Sequence, residues 1–555
     1  MFTPLSTTSD AFSRLPWSDI EPWYHELANT PPSSENLQEW MAQWSGLNAL
    51  VDETLVRFEI ATTVNTDDTA EAQHKQQFLE NVHINIQKAD QILKEQLLAS
   101  KLEPEGFAVP LRNIRAETTL YREDNLPLLA EDRILSDAYM EIRGSQMVMW
   151  EGKELPITAL YSTLYDPNRE RREQAWRTIM ARQLQDRDRI NEIWVKKMRL
   201  RQQIAQNAGF ESFREYRWQQ MFRFDYTPDD CKRFHAAVEQ VIVPAASQIR
   251  EKHRRMLGVE LLRPWDMFVN PRASEAPRAI SDVPALLHQC LPVYQLINPQ
   301  LKTYFETMLQ HNLLDLEERP AKAPGGYNLP LEVVHLPFIF GHVNSINDVV
   351  PLIFHESGHA FHVFESDHLP YVQQRWEKSL PMEFAEVAST SMEYIGALYL
   401  HKANLCTARE EFLIRMKHLE DTLTFLPSLV RVDAFQHWLY EHPEEAQQID
   451  KVDEKWAELS QRYEPGVDWS GFDDALASNW HGTLHIFSDP FYYIEYAFAT
   501  VGALQVWRNY LQDPQKGLQQ YLHALSLGAT RTLPELYEEA GAKFSFTEEV
   551  LQDIT

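Results

Sequence analysis

The nine residues FHESGHAFH, from Phe354 to His362, are the stretch on which the interpretation of this chain depends. They contain three histidines and one glutamate, and His355, His359 and His362 fall at the i, i+4 and i+7 positions of one helix face. The first two belong to an HExxH pattern, which on a helix brings both imidazoles within reach of one zinc ion. The stretch therefore predicts a helix that carries a metal site.

The helix is expected to begin shortly before the motif. Asn347 fits the N-cap position, Asp348 suits the first turn, and Pro351 is tolerated only near a helix start. On such a helix Glu356 points to the side of the two histidines. It can then act as a general base toward a water molecule on the metal.

Helix geometry argues against His362 as the third ligand. At a rise of about 1.5 Å per residue, it lies about 10 Å along the axis from His355, so one ion cannot contact both. The pattern HExxHxxGxxH also fails, because Glu365 occupies its third histidine position. We expect His362 to lie behind the ligands or to pack in the core.

A later helix, predicted over Ser379–Leu400, offers carboxylates instead. Glu386 and Glu393 are seven residues apart and share one face of it. Their neighbours are small enough for a second helix to approach closely: Ala385, Ala388, Ser389 and Ser391. We predict a zinc ion held by His355, His359 and Glu386. Glu393 is expected to orient one of the two histidines, and a solvated acidic face is the alternative.

Composition limits the possible partners. The 555 residues carry 81 acidic and 52 basic side chains, a formal net charge of −29, which argues against binding to nucleic acid or to anionic lipid. The three cysteines are scattered and form no CxxC pair, so no disulfide framework or thiolate metal site is suggested. No signal peptide or membrane span is recognised, and a cytoplasmic location is expected.

The sequence pattern predicts that the rest of the chain is mainly helical. It contains only 18 glycines, and long segments such as Ala70–Leu102 and Arg169–Gly209 have apolar residues at helical spacing. One exception is Leu331–Val343, which is rich in Val, Ile and Phe and follows the turn-forming AKAPGGYN, so it predicts a small sheet just before the histidines. We place a boundary near residue 200, between an N-terminal helical lobe, residues 1–200, and a catalytic lobe, residues 201–555. One continuous architecture, without independent domains, is the alternative.

Three motifs, in order, resemble the thimet oligopeptidase/oligoendopeptidase F family of zinc metallopeptidases, and its oligoendopeptidase F branch in particular. They are NDVVPLIFHESGHAFH (Asn347–His362), AEVASTSME (Ala385–Glu393) and HIFSDPFYYIEYAFATVG (His485–Gly502). The resemblance places the third zinc ligand at Glu386. It implies a mainly α, two-lobed helical ellipsoid with a deep central channel, one zinc ion per chain, and cleavage of internal bonds in short, unstructured peptides.

The same resemblance assigns further roles. Glu356 would take a proton from a zinc-bound water and pass it to the leaving amine, while His485, Tyr492 and Tyr496 offer an imidazole and two phenols that can stabilise the oxyanion. Which of the two tyrosines does so stays open. Ile494 departs from the related branch, which often has tyrosine there. The strand Leu336–Phe340 is expected to offer an edge for pairing with substrate. The remaining residues assigned to substrate contact are Gly325, Gly326, Tyr327 and Tyr493.

Two other interpretations remain open. Another HExxH peptidase with a glutamate ligand, such as an aminopeptidase, would have the same metal chemistry. It would remove residues from the amino terminus of a peptide instead of cleaving internal bonds. A non-catalytic helical peptide-binding protein would keep the zinc for structure alone. Glu356 favours an enzyme, because a structural zinc site does not need a base. Nothing in the sequence indicates the oligomeric state.

Overall fold

The computed structural model describes residues 2–5, 7–273, 277–375 and 380–555. About 69% of the chain is helical and 4% is strand, so the predicted mainly α fold is confirmed. The α-helices are Ser9–Phe12, Trp17–Asn29, Leu37–Val64, Thr69–Phe78, Ile84–Ser100, Ala108–Leu120, Leu126–Gly144, Ile157–Tyr161, Arg169–Leu184, Arg187–Asn207, Phe213–Gln220, Pro228–Leu257, Val283–Ile297, Pro299–Gln310, His355–Ser366, Met382–Gly396, Ala408–Glu441, Ile449–Tyr463, Asp473–Ala477, Leu484–Phe487, Tyr493–Gln512, Pro514–Ser526, Leu533–Glu539 and Glu548–Ile554.

The two long helical segments predicted from periodicity are helical with interruptions. Ala70–Leu102 corresponds to helices Thr69–Phe78 and Ile84–Ser100, joined by a wider π-type turn. Arg169–Gly209 is divided between Arg169–Leu184 and Arg187–Asn207. Apolar residues continue through the first junction at Phe78, Leu79 and Val82, whereas residues 185–189 at the second junction are all polar.

Strands occur in two small sheets. A hairpin pairs β1 (Met147–Trp150) with β2 (Lys153–Pro156), and the sequence did not predict it. The predicted sheet before the histidines has the order β3-β5-β4, with β3 at Leu314–Asp315, β4 at Tyr327–Leu331 and β5 at Leu336–Phe340. Only the central part of the predicted strand Leu331–Val343 is therefore extended.

The expectation that Leu336–Phe340 forms an open edge is wrong. β5 is the middle strand: it pairs along its whole length with β4, and through Ile339 and Phe340 with β3. Its side chains Phe338 and Phe340 are buried. A continuous apolar run is typical of a strand with both faces buried, and it does not indicate whether the strand lies at an edge. β3 and β4 are the two outer strands of this sheet, and β4 is the longer of them.

The chain folds into two compact units. The first combines Met1–Thr119, Pro277–Glu411 and Gly502–Phe544, and the second combines Leu120–Ala276, Phe412–Val501 and Ser545–Thr555. This division differs from the predicted boundary at residue 200, which falls inside helix Arg187–Asn207. A boundary read along the sequence assumes that neighbours in the chain stay together, whereas each unit is assembled from three separate stretches.

The first unit contains an aromatic core around Trp40 and Trp44, built from the N-terminal helices. It also contains β3, β4 and β5 and the two helices that the sequence singled out. We call His355–Ser366 the motif helix and Met382–Gly396 the acidic helix. The acidic helix was predicted to start at Ser379, which lies outside the described residues, and to end at Leu400.

The second unit has its own core around Trp176 and Trp265. The ion pair of Arg172 with Asp266 is almost completely buried there, with an Nη2–Oδ1 distance of 2.9 Å. In the part of the chain that the structure describes, no helix is both long and apolar enough to cross a membrane.

Candidate metallopeptidase active site

Two short helical turns precede the motif helix, and the first is tighter and the second wider than an α-helix. Ser345 caps the run reciprocally with Asp348: the Ser345 amide donates to Asp348 Oδ2 at 2.7 Å. A 3₁₀ turn over Ile346–Val349 and a π-type turn over Val350–Phe354 then lead into the α-helix at His355. The N-cap predicted at Asn347 is wrong by two residues, because the Ser-x-x-Asp capping box already satisfies the first amides at Ser345.

Gly358, inside HESGH, lets the acidic helix approach the motif helix closely. A Cβ at this position would lie 2.6 Å from the Ala388 carbonyl oxygen and 2.6 Å from the Ser389 Cα. Real Cβ atoms are not found at such distances. The small residues of the acidic helix were predicted to permit this approach, and the glycine on the opposite helix completes it.

Gly358→Ala is expected to separate these two helices. The methyl group meets backbone atoms that cannot turn aside, so we expect a loss of about 1–3 kcal/mol in the free energy of unfolding, together with weaker retention of metal. Denaturant unfolding and metal analysis measure both. Gly144→Ala is the matched control, since it is also a helical glycine but has nothing within 4 Å of the added Cβ. Equal stability of the two variants would contradict the close approach.

The approach of the two helices brings together His355, His359 and Glu386, which we call the donor cluster. One ligand atom from each lies within 4.8 Å of the others. His355 Nε2 is 3.4 Å and His359 Nε2 is 3.8 Å from Glu386 Oε2. The two Nε2 atoms and the carboxylate oxygen therefore converge on one point, as they must to hold a single ion.

Further polar groups fix the members of this cluster. Glu393 Oε1 is 2.7 Å from His355 Nδ1, so the carboxylate holds the ring nitrogen that faces away from Glu386. The Ser389 hydroxyl donates to Glu386 Oε2 at 3.1 Å. Ser389 was predicted only as a small residue. Its position one turn after Glu386 was the available signal for this second role.

Charge is concentrated at the cluster. Burial alone would lower the pKa of His355, but hydrogen bonds and charge from Glu386 and Glu393 outweigh it and raise that pKa well above its ordinary value. Burial would raise the pKa of Glu386, and the two histidines together with Ser389 lower it below its ordinary value instead. Burial lowers the pKa of His359 to about 4, so this imidazole is neutral and able to donate a lone pair near neutral pH.

Glu356 lies beside the cluster in a buried position. Its side chain is buried, and Oε2 has no hydrogen-bond partner among the described residues. Burial raises the pKa of its carboxyl to about 7, with His355 opposing the shift and Glu386 and Glu393 adding to it. A carboxyl with a pKa near the working pH is suited to taking and returning a proton.

The donor set fits a zinc ion. Two imidazole nitrogens and one carboxylate oxygen are the three protein ligands of several catalytic zinc sites, which leave a further position open to water or substrate. His362 is not a member of this group. It is completely buried, its ring packs edge-on against Phe384 at 5.9 Å, and burial lowers its pKa to about 3.

Gly325, Gly326 and Tyr327 were expected to contact substrate, and they lie at or just before the start of β4 in different surroundings. Gly325 adopts φ +110°, so it needs to be glycine, whereas Gly326 does not have a positive φ. A Cβ at Gly326 would lie 3.8 Å from Glu356 Oε1 and 3.0 Å from Leu352. Tyr327 stacks on a buried phenylalanine of β5, and its hydroxyl is 2.5 Å from Thr63 Oγ1.

The second unit brings together His485, Tyr492, Tyr493 and Tyr496. The His485 ring lies 5.4, 5.0 and 6.2 Å from the three tyrosine rings in that order, and all four side chains are half-buried. Burial lowers the pKa of His485, and the charge of Asp489 partly opposes this. Ile494, by contrast, is fully buried and packs inward.

Two buried arginines hold the segment that carries these four rings. Arg201 donates to the carbonyl oxygens of Ile486, at 3.1 Å, and Phe487. Arg223 donates to the carbonyl oxygen of Phe491 at 2.6 Å. No pattern in the sequence pointed to either role, since both arginines lie more than 200 positions from the segment that they hold.

A mainly helical fold, with an HExxH helix packed against a glutamate-bearing helix, defines the protein as a metallopeptidase. The chain belongs to peptidase family M3, whose family model matches residues 162–555. The resemblance noted from three sequence motifs is thereby confirmed at the level of the family.

Solved structures agree with this assignment. PZ peptidase A with an inhibitor is 26% identical, with a TM-score of 0.88, over 98% of this chain and 96% of that one. A structure assigned as oligoendopeptidase F is 24% identical, with a TM-score of 0.88, over 99% and 97%. Another so assigned, from Bacillus anthracis str. Ames, is 23% identical, with a TM-score of 0.83, over 98% and 95%. The last two show the fold alone. A comparison with curated proteins found no match.

Proposed function

We propose that this metallopeptidase is a zinc-dependent endo-oligopeptidase that cleaves internal bonds of short, unstructured peptides. The observation that carries the proposal is the convergence of His355, His359 and Glu386 within 4.8 Å beside the buried carboxyl of Glu356. Ligands alone would suit a structural ion. A buried base beside them, in a protein of family M3, suits hydrolysis.

His355, His359 and Glu386 would hold one zinc ion. When bound, the ion would supply Lewis-acid chemistry, polarising the scissile carbonyl and making water acidic enough to be deprotonated near neutral pH. Glu393 would keep the Nδ1 proton of His355 in place, which presents Nε2 as the lone-pair donor. Ser389 would hold Glu386 in the same way from its own helix.

Glu356 would act as the general base. Its Oε2 is free of other hydrogen bonds among the described residues, so it can accept a proton from the attacking water. The same carboxyl, with its raised pKa, can then return the proton to the leaving amine. A Cβ at Gly326 would press on Leu352 at 3.0 Å, whereas its 3.8 Å distance from Glu356 Oε1 is ordinary contact.

The oxyanion roles of His485, Tyr492 and Tyr496, and the contact by Tyr493, stay predictions. Their clustering and partial exposure are consistent with contact to a ligand. For backbone pairing with a peptide we now assign β4 instead of β5, since β4 is the longer of the two outer strands and begins beside Gly326. Tyr327 would act by packing against the sheet and holding Thr63.

Cleavage of internal bonds in short peptides is inferred from relatives. Two of the similar structures are assigned as oligoendopeptidases, and that name describes internal cleavage of oligopeptides. Peptide substrates, the absence of nucleic-acid partners and a cytoplasmic location remain proposals. The last two rest on the net charge and on three cysteines that form no disulfide among the described residues. Within the metallopeptidase class, an aminopeptidase is the alternative.

Peptide digestion distinguishes these functions. An internally quenched nonapeptide should be cut, mass spectrometry should find the cut away from both ends, and a chelator should abolish the cut until zinc is restored. Blocking the amino terminus of the nonapeptide should not change its rate of cleavage. Trimming only from a free amino terminus would indicate an aminopeptidase. A folded protein digested as fast as the nonapeptide would contradict the restriction to short peptides.

A further inference from the structure

A second group of metal-ligand side chains lies in the second unit. Cys231, Asp433 and His437 each offer one ligand atom, and these atoms lie within 4.8 Å of one another. All three residues are buried, with exposed fractions of 0%, 0% and 2%. Among the residues that the structure describes, the donor cluster of the proposed active site is the only other group that meets the same distance.

We propose that Cys231, Asp433 and His437 bind a second metal ion, a structural transition metal of the Zn²⁺ class. A thiolate, a carboxylate and an imidazole are all established zinc ligands, and the thiolate disfavours hard ions such as Mg²⁺ and Ca²⁺. Complete burial leaves no access for a substrate, so the ion would serve the fold. The inference is independent of the proposed function.

The site would connect two long helices. Cys231 and His235 are one turn apart on helix Pro228–Leu257, and Asp433 and His437 are one turn apart on helix Ala408–Glu441. Side chains four residues apart share a helix face, so two pairs face each other. Metal sites inside helical bundles are built in this way, from side chains on facing helices.

The carboxylate of Asp433 is arranged to leave one oxygen for an ion. His235 Nε2 is 2.7 Å from Asp433 Oδ2, and His437 Nε2 is 3.3 Å from the same oxygen. Asp433 Oδ1 is buried and has no hydrogen-bond partner among the described residues. A buried, unsatisfied carboxylate oxygen is costly, and a bound cation would satisfy it. His235 would then orient Asp433.

One neighbour must change when the ion binds. Arg214 Nη1 lies 3.3 Å from His437 Nδ1 and also pairs with Glu441. A metal-bound imidazole carries its proton on the other ring nitrogen, and an arginine cannot accept it. Arg214 would therefore turn toward Glu441. The thiol proton of Cys231 is released to solvent as the metal–sulfur bond forms.

Cobalt substitution tests this site without a mutation. Chain stripped of metal and titrated with Co²⁺ should bind two ions, and one of them should give the intense near-ultraviolet absorption of a thiolate–cobalt bond. The donor cluster contains no sulfur and cannot produce that band. Zinc analysis of the purified chain should likewise find two ions. One ion per chain and no thiolate band would overturn the proposal and leave a buried His235–Asp433–His437 hydrogen-bonded network as the explanation.

Cysteine variants show which cysteine gives rise to the thiolate–cobalt absorption band. Cys231→Ser should lose the thiolate band and one ion, show a lower melting temperature, and keep peptide cleavage. Cys290→Ser is the matched control, because Cys290 is also fully buried but belongs to neither ligand group. A thiolate band that persists in Cys231→Ser, or disappears in Cys290→Ser, would refute the assignment. If Cys231→Ser fails to fold, the spectrum of the unaltered chain still decides the question.

Discussion

Glu356→Gln is expected to retain its metal and to lose on the order of 10³-fold in kcat/KM for a quenched peptide. The amide matches the carboxylate in shape but cannot accept the proton of the attacking water, and general-base catalysis contributes about 10²–10⁴-fold. Glu356 is not a member of the donor cluster, so metal content should not change. Steady-state kinetics and elemental analysis on the same sample measure the two effects.

Glu365→Gln is the matched control for this variant. Glu365 lies on the same helix, but its carboxylate is 3.1 Å from both the Tyr304 hydroxyl and the Gln300 amide nitrogen, and it is not part of the donor cluster. Its loss should leave cleavage within about twofold of the parent, because surface hydrogen bonds contribute little. A Glu356→Gln variant that cleaves at the rate of this control would show that the base lies elsewhere.

Glu386→Gln is expected to lose both metal and activity while the chain stays folded. The substitution removes the only charged ligand and leaves two imidazoles, so zinc affinity should fall by more than about 100-fold, since even the loss of a residue that supports a ligand costs 10–100-fold. Cleavage at limiting zinc should disappear, and high zinc should restore part of it. Competition with a zinc-binding dye measures the affinity.

Glu383→Gln separates a lost ligand from a lost buried carboxylate. Glu383 is one turn earlier on the acidic helix and is 4% exposed, which is close to the 6% of Glu386, but it is outside the donor cluster. This control should keep its zinc and its activity. If both variants lose zinc equally, the effect comes from disruption of the helix, and Glu386 is not a ligand.

Much of the active-site helix pair could be predicted because it depends on local periodicity. HExxH places His355 and His359 on one face of any helix, and helix rise moves His362 away from the position that these two rings share. Glu386 was recognisable because two acids on a face of small residues need a positive charge opposite. The structure places the ligand atoms of this trio within 4.8 Å, although their function as ligands awaits the experiments above.

Features that depend on partners far along the chain could not be predicted. Leu336–Phe340 was expected to form an open edge, but whether a strand lies at an edge or in the middle is decided by its neighbours. β4 pairs with all of it, and β3 pairs with Ile339 and Phe340. The predicted N-cap at Asn347 was wrong for a local reason, because Ser345 and Asp348 form a capping box two residues earlier. The boundary at residue 200 failed to anticipate units assembled from three stretches each.

The sequence by itself determined the mainly α fold, the family and the residue types of the proposed zinc site, because helical periodicity and the HExxH spacing are properties of neighbouring residues. Only the tertiary structure decided how closely the two helices approach at Gly358, and that Ser389 holds Glu386. It alone brought Cys231 to Asp433 and His437, about 200 positions away, where no CxxC spacing pointed to a thiolate site. Contacts between distant segments depend on how whole helices pack, and a linear pattern does not record that packing.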